Sequence, residues 1–461
     1  PLRCARSEPG MPTPDPGAAP RVTRKKAAMG GVWVAAEFGS NQGLRLVRNV
    51  FLTHMITQQM YGLLGLAGIV VDFVNNISDV GINMSIIRQR RDDEQRFLDS
   101  AWTLSVIRGL LVWLIACAMA FPAALFYDEP ALALAVPLLG LSAVMLGACS
   151  TKFSTYNRDL EFARVTLIKI VGKVIGFGAT IAWALIAPDN LGVILVGPLL
   201  AGLLTLIASH MLLAGTNNRF AWDRDAIREL ISFGKWVFLA TLLTFLIRKG
   251  DLLIIGKLEG TEAFAVYAVA YSMANMLPKM CQAISSKVLF PIYSNIQNDE
   301  PAELRRKIFK ARFWLLRLFL PALWLLIAFG GFVVDLLYPD SYTEAGWMLE
   351  LLACGACGQI VSMSIGGIVL AKGDGFRYMA LRFGTGVTVL SGMVLGLVYG
   401  PGFWPEGGQV GGLVIGMGIG YWLNYPVMLW AIRGYGVWLP RLDLICFAAS
   451  AVVIAVRFGV F

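Results

Sequence analysis

Arg45, Arg48, Arg248 and Asp251 stand inside long apolar runs. An ionised side chain at the centre of a membrane helix costs roughly 2.5–3.5 kcal/mol on insertion scales, so such residues usually face a partner or a wet cavity. Arg45 and Arg48 are spaced i,i+3, as are Arg248 and Asp251, which places each pair on one side of a helix. Guanidinium groups match phosphate oxygens with a planar fork, so a cleft lined by these faces suits an anionic headgroup. Two other readings stay open: the four side chains neutralise one another between bundles, or they reach out to lipid headgroups. Lys173 and Lys279 join the basic set as further ligands, with Lys169, one turn from Lys173, and Lys287 adding positive potential. Asp72, close to Asn75 and Asn76, is a candidate for a coupling proton or cation, or else a hydrogen-bond partner of a neighbouring helix. Asp251 suits both the substrate and the coupling role. Arg108 and Glu350 read as interhelical partners, Glu37 as the partner of a basic residue, and His54 as an interfacial group.

The chain that must position these residues has 461 residues, 57% hydrophobic and only 15% charged. Soluble chains carry about 25% charged residues. This deficit excludes an ordinary soluble enzyme, a disordered protein and a small disulfide-stapled domain. Seven cysteines are scattered, mostly in apolar runs, and Cys354 and Cys357 read as small packing residues. Two histidines exclude a multi-histidine metal site. There is no Walker A pattern, no GxGxxG after a strand and no HExxH, so neither a metal nor a cofactor is expected.

Thirteen apolar segments follow a Pro- and Gly-rich beginning, each near the ~20 residues that cross a bilayer as a helix. They lie at about 31–56, 62–87, 100–126, 132–155, 164–187, 191–213, 231–257, 264–290, 313–337, 345–370, 376–399, 409–432 and 442–460. The expected class is an all-α integral membrane protein with two parallel-repeat six-helix lobes around a central cleft. Residues 1–28 form a disordered cytoplasmic tail in this reading, with Met11 or Met29 as alternative first residues. Residues 29–218 form the N-terminal lobe, 219–228 a cytoplasmic linker, 229–432 the C-terminal lobe and 433–461 an extra helix. With the tail inside, almost all loop arginines and lysines fall on the cytoplasmic side, and Lys257 alone lies outside. The net charge of +9 then faces anionic lipid rather than nucleic acid. Pro198 and Pro278 are expected to kink their helices, and Gly408, Gly412, Gly416 and Gly420 to form a close-packing stripe.

A shift of 203 positions lays the first span on the seventh. Trp33-Val34 falls on Trp236-Val237, Arg45 on Arg248, Arg48 on Asp251, Tyr61 on Phe264 and Ala67 on Ala270. The offset is six spans, an even number, so both halves run the same way through the membrane. Met60-Tyr61-Gly62-Leu63, Ile77-Ser78-Asp79-Val80-Gly81, Phe233-Gly234-Lys235-Trp236, Gly250-Asp251 with Gly256, Tyr267-Ala268-Val269-Ala270-Tyr271 and Phe290-Pro291 keep order and spacing. In these motifs the chain resembles the polysaccharide branch of the multidrug/oligosaccharidyl-lipid/polysaccharide exporter superfamily. The odd span count departs from the even number usual there.

The resemblance implies a Wzx-type flippase. It would move polyprenyl-pyrophosphate-linked oligosaccharide across a bacterial inner membrane by alternating access, for exopolysaccharide, capsule or O-antigen assembly. Its partners would be that lipid-linked substrate, membrane lipids, and glycosyltransferases and a polymerase of the same pathway. A cation-coupled drug antiporter of the same superfamily is the alternative, but it calls for a cleft dominated by acids. A membrane-embedded polymerase or ligase calls for a sizeable catalytic external loop, and the external loops here are short.

Overall fold

In lipid, every backbone N–H and C=O must be satisfied internally, so apolar runs of this length fold as helices. The computed structural model describes residues 24–78, 86, 94–159, 161–294, 301–371, 374–404 and 407–459, among which there is no strand. The side chains of Glu37 and Lys287 lie outside the described set, as does the expected tail up to residue 23. The first half of the chain forms α1 (Arg24–Met55), α2 (Gln58–Ile77), α3 (Glu94–Tyr127), α4 (Leu132–Ala148), α5 (Lys152–Arg158), α6 (Phe162–Ile186) and α7 (Gly192–Met211). The second half forms α8 (Arg224–Leu258), α9 (Gly260–Ala274), α10 (Met276–Ser294), α11 (Pro301–Leu337), α12 (Ala345–Ala371), α13 (Gly375–Phe403) and α14 (Gly408–Ile432). A last helix, α15, spans Pro440–Arg457.

By length and mean hydropathy, seven of these helices qualify as spans: α3, α6, α7, α11, α12, α13 and α14. An eighth arises if α4 and α5, bent by 59°, count as one. That count covers the described residues alone, which leave out side chains of α1, α2, α8 and α10. Helix α15 carries Arg441, Asp443 and Arg457 among its 18 residues, and that charge keeps it out of the count. The single helix expected over 264–290 is divided at Asn275 into α9 and α10. Pro278 has no N–H to return to the Ala274 carbonyl, and the Asn275 amide donates to Tyr271 O at 3.1 Å instead of continuing the helix face. Pro198, by contrast, lies within an unbroken α7.

Helices α1–α7 pack chiefly on one another, with α3 on α4, α6 on α7 and α1 on α6. Helices α10–α14 do the same, with α11 on α12, α12 on α14 and α13 on α14. The two bundles meet where α2 packs on α8 and α9, α3 on α8, and α1 on α10. Their outer surfaces expose Phe121, Leu125, Leu185, Ile186, Leu318, Phe332 and Val398, a continuous apolar cover that water would not tolerate and acyl chains match. Part of the expected glycine stripe is a true contact. A Cβ on Gly412, Gly416 or Gly420 would strike the α13 backbone at Gly396, Gly392 or Thr388, whereas Gly408 stands clear.

Helix α15 lies along α11 and is held at three levels. Arg312 donates to Asp443 at 2.5 Å, Trp324 Nε1 to Ser450 Oγ at 3.0 Å, and Arg457 meets Glu350 at 3.0 Å. The first pair is buried on both sides; Tyr425 donates to Asp443 and Arg312 Nε to Ser364 Oγ, while Arg312 Nη1 has no partner. A buried pair of this kind holds its helices in register, because separating it strands a charge in a medium that cannot solvate it.

Candidate functional site: a basic cleft beneath a closed seam

Seven helix ends converge at one end of the interface between the bundles. The α1–α2 and α3–α4 junctions come from the first half, and the α8–α9 junction and the end of α11 from the second. Gln58 donates to the Ser341 carbonyl, and Tyr61 packs edge-on against Tyr342 with centroids 6.3 Å apart. Asp128 adopts φ 55°, a left-handed turn that aspartate tolerates better than most residues. Across this turn Asp128 meets Lys257 at 2.7 Å, and Glu129 accepts from Thr261 Oγ1 at 3.0 Å. Gly62 lies against the Thr261 backbone so closely that a Cβ there would overlap its carbonyl oxygen. The bundles are shut here.

The unusual charges lie deeper. At 1.5 Å rise per residue, Arg45 and Arg248 each sit about 15 Å below the seam along α1 and α8. Asn49, one turn from Arg45, donates to Ser272 Oγ at 3.1 Å and so ties α1 to α9. Phe73 meets Phe245 at 5.2 Å, which brings Asp72 on α2 level with the Arg248–Lys249 turn of α8. The charges of Lys249, Arg45 and Lys279 all act on Asp72, and those of Arg45, Lys249 and Arg248 on Lys279. Helices α1, α2, α8 and α10 therefore bring these charges to one region, the candidate cleft between the bundles. Arg248 and Asp72 are exposed in it, and Arg45, Lys249 and Lys279 are half-buried. Arg248 donates to Gln282 Oε1 at 2.7 Å, while Lys249 stands 5.4 Å from the Tyr271 ring.

The i,i+3 pairs do not act as pairs. Asp251 is buried and accepts from Tyr267 at 2.6 Å rather than pairing with Arg248. Its Oδ1 has no hydrogen-bond partner, and neither does Arg48 Nε. Beside Asp251, Arg248, Tyr271, Asn275, Gln359 and Tyr421 line a cavity with room for roughly one water. Arg48 lies near Tyr61, on the side of α1 towards the seam. Mutual neutralisation of the four groups, one of the open readings, is thus absent among the described residues.

Lys173 reaches Asn41 Oδ1 at 2.6 Å, one turn from Arg45, but Lys169 turns to the Phe153 ring at 5.9 Å. Arg108 donates to the Asn75 and Ser78 carbonyls at the end of α2, as expected of an interhelical partner. Glu350 accepts from Gly331 N and Arg457. His54 Nδ1 lies 2.8 Å from the Val50 carbonyl of its own helix. Sequence reasoning missed Lys249 and Gln282. The signal for Lys249 was present, a third ionisable residue beside Arg248 in the same apolar run.

Comparisons with known proteins agree with this architecture. A family described as polysaccharide biosynthesis protein matches residues 51–346. The lipopolysaccharide biosynthesis protein WzxC of Escherichia coli (strain K12) is 25% identical over 355 residues, covering 76% of this chain and 70% of that protein. The solved lipid II flippase MurJ in an inward closed conformation superposes with a TM-score of 0.66 at 12% identity, covering 93% of this chain and 98% of the other. An inward-facing multidrug resistance MATE transporter gives 0.60 at 16% identity, covering 89% and 95%. The fold is shared with both.

Proposed function

The chain belongs to the polysaccharide biosynthesis protein family, within the multidrug/oligosaccharidyl-lipid/polysaccharide exporter superfamily of membrane transporters; from that premise we propose that it flips a polyprenyl-pyrophosphate-linked oligosaccharide. One observation carries the reading: four cations, Arg45, Arg248, Lys249 and Lys279, gather from both bundles beneath a closed seam, with Arg48 nearer the seam. A pyrophosphate is the headgroup that such a cluster fits. A drug cation would be repelled by it.

With the N-terminus cytoplasmic, the seam faces the outside and the cleft awaits cargo from the inner leaflet. The arginines grip the phosphate oxygens, with Lys173 and Lys279 adding positive charge along the sugar path. The prenyl chain stays in lipid beside the apolar outer surface. Rocking of the lobes, 29–218 against 229–432 about the 219–228 linker, then parts the seam and exposes the headgroup outside. Asp72 and Asp251 are the coupling-ion candidates. The unpaired Oδ1 of Asp251 beside a water-sized cavity supports the second. Glycosyltransferases supplying the cargo and a polymerase consuming it are the partners this places on either side.

Each hydrogen bond to a charged group contributes about 1.5–3 kcal/mol, so loss of one arginine weakens cargo binding about tenfold or more. Arg45→Ala or Arg248→Ala is expected to abolish export while the protein inserts at normal levels, with lipid-linked repeat units trapped in the inner leaflet. Normal export by both variants would reject the cleft as the binding site.

A further inference from the structure

A cleft with four cations has to remain stable when empty. Among the described residues Arg45 makes no ion pair, and Arg248 is held only by the neutral Gln282. Asp251, the nearest acid in sequence, is buried and committed to Tyr267. Among the described residues one exposed carboxylate remains beside these cations. Asp72 stands on α2, in the opposite bundle from Lys249 and Lys279, and its charge reaches both of them and Arg45. The Phe73–Phe245 contact places it at their depth. Among the described residues no ion pair closes between Asp72 and these cations. The attraction is therefore exerted through the open cleft rather than through a locked bond.

We propose that Asp72 is the resident counter-ion of the basic cleft, holding in the empty carrier the place that the cargo's phosphate charge takes when it binds. This rests on the reading of the cleft as a pyrophosphate site. An arriving dianionic headgroup outcompetes a single carboxylate because it presents more charge and more acceptor oxygens. On the far side, where the headgroup must leave, the same carboxylate re-engages the cations and promotes release. Asp72 thus lowers affinity and raises turnover. A ligand residue would raise affinity, and a merely structural one would leave it unchanged.

The test is titration of the purified full chain, in lipid nanodiscs, with undecaprenyl pyrophosphate and with uncharged undecaprenol. Asp72→Asn and Asp72→Ser are expected to bind the pyrophosphate roughly three- to thirty-fold more tightly than the unaltered protein, the effect of removing one competing charge at cleft distances. Asp72→Glu keeps the charge and is expected to match the unaltered protein. Export in cells falls in the Asn and Ser variants as release slows. Unchanged or weaker pyrophosphate binding in both variants overturns the counter-ion, and so does failure of both to insert, which would make Asp72 a structural ligand. An unaltered protein that binds undecaprenol and undecaprenyl pyrophosphate equally would instead remove the pyrophosphate reading itself.

Discussion

The seam and the cleft are built from the same neighbouring helices, about 15 Å apart along α1 and α8, and they solve opposite problems. At the seam, two bundles meet through a glycine against a backbone carbonyl, a tyrosine pair and side-chain hydrogen bonds. The inter-bundle ion pair there among the described residues, Lys257–Asp128, is exposed. In the cleft, cations from both bundles come together, with Asp72 the exposed acid among the described residues there. Close packing without buried charge makes a contact that can part and reform at modest cost. Concentrated charge of one sign makes a surface that needs a ligand of the other. A transporter requires both properties, in different places.

Three experiments sharpen or break this contrast. The largest effect is expected from locking the seam. Gln58→Cys with Ser341→Cys, joined by a short thiol-specific cross-linker, should stop export almost completely, and cleaving the linker should restore it. Export that survives cross-linking would mean the seam is not a gate. Next, Gly62→Leu forces a side chain into the Thr261 backbone. Overpacking of this kind costs about 1–3 kcal/mol, so closure should weaken about tenfold or more, read as increased labelling of a cysteine at Tyr61 by an impermeant thiol reagent. Unchanged labelling would show that the seam tolerates a gap. The smallest effect belongs to Lys257→Ala. Its partner Asp128 is 81% exposed, and exposed pairs contribute about 0–1 kcal/mol, so export should change less than about fivefold. A complete loss would make this surface pair a latch and move the weight of the seam from packing to charge.

The cleft was partly legible before the structure. Arg45 and Arg248 stand out because charge inside an apolar run is costly and seldom kept without use. The shift of 203 positions related them across the two halves. The direction of each side chain was not legible. An i,i+3 spacing leaves two residues about 60° apart around a helix. That angle is enough to turn Asp251 towards Tyr267 while Arg248 faces the cleft. The seam gave almost no signal, since Gln58, Gly62, Glu129, Thr261 and Ser341 are ordinary residues for helix ends and turns. Their meaning lies in pairings between residues far apart in the chain, such as Gln58 with Ser341. The division of α9 from α10 lay between these cases, for Pro278 marked a kink but not a full break.

By itself, then, the sequence determined the helical class, the membrane as solvent and the two positions where charge is out of place. These follow from local backbone hydrogen bonding and from the free energy of moving each residue type into lipid, which depend little on distant parts of the chain. The tertiary structure alone decided that α1, α2, α8 and α10 share one cleft, that Asp72 is its exposed acid, and that the bundles close at one end. Those facts depend on which faces of separate helices meet. Apolar faces resemble one another too closely in sequence to specify that choice, which is made by packing and by a few long-range polar contacts.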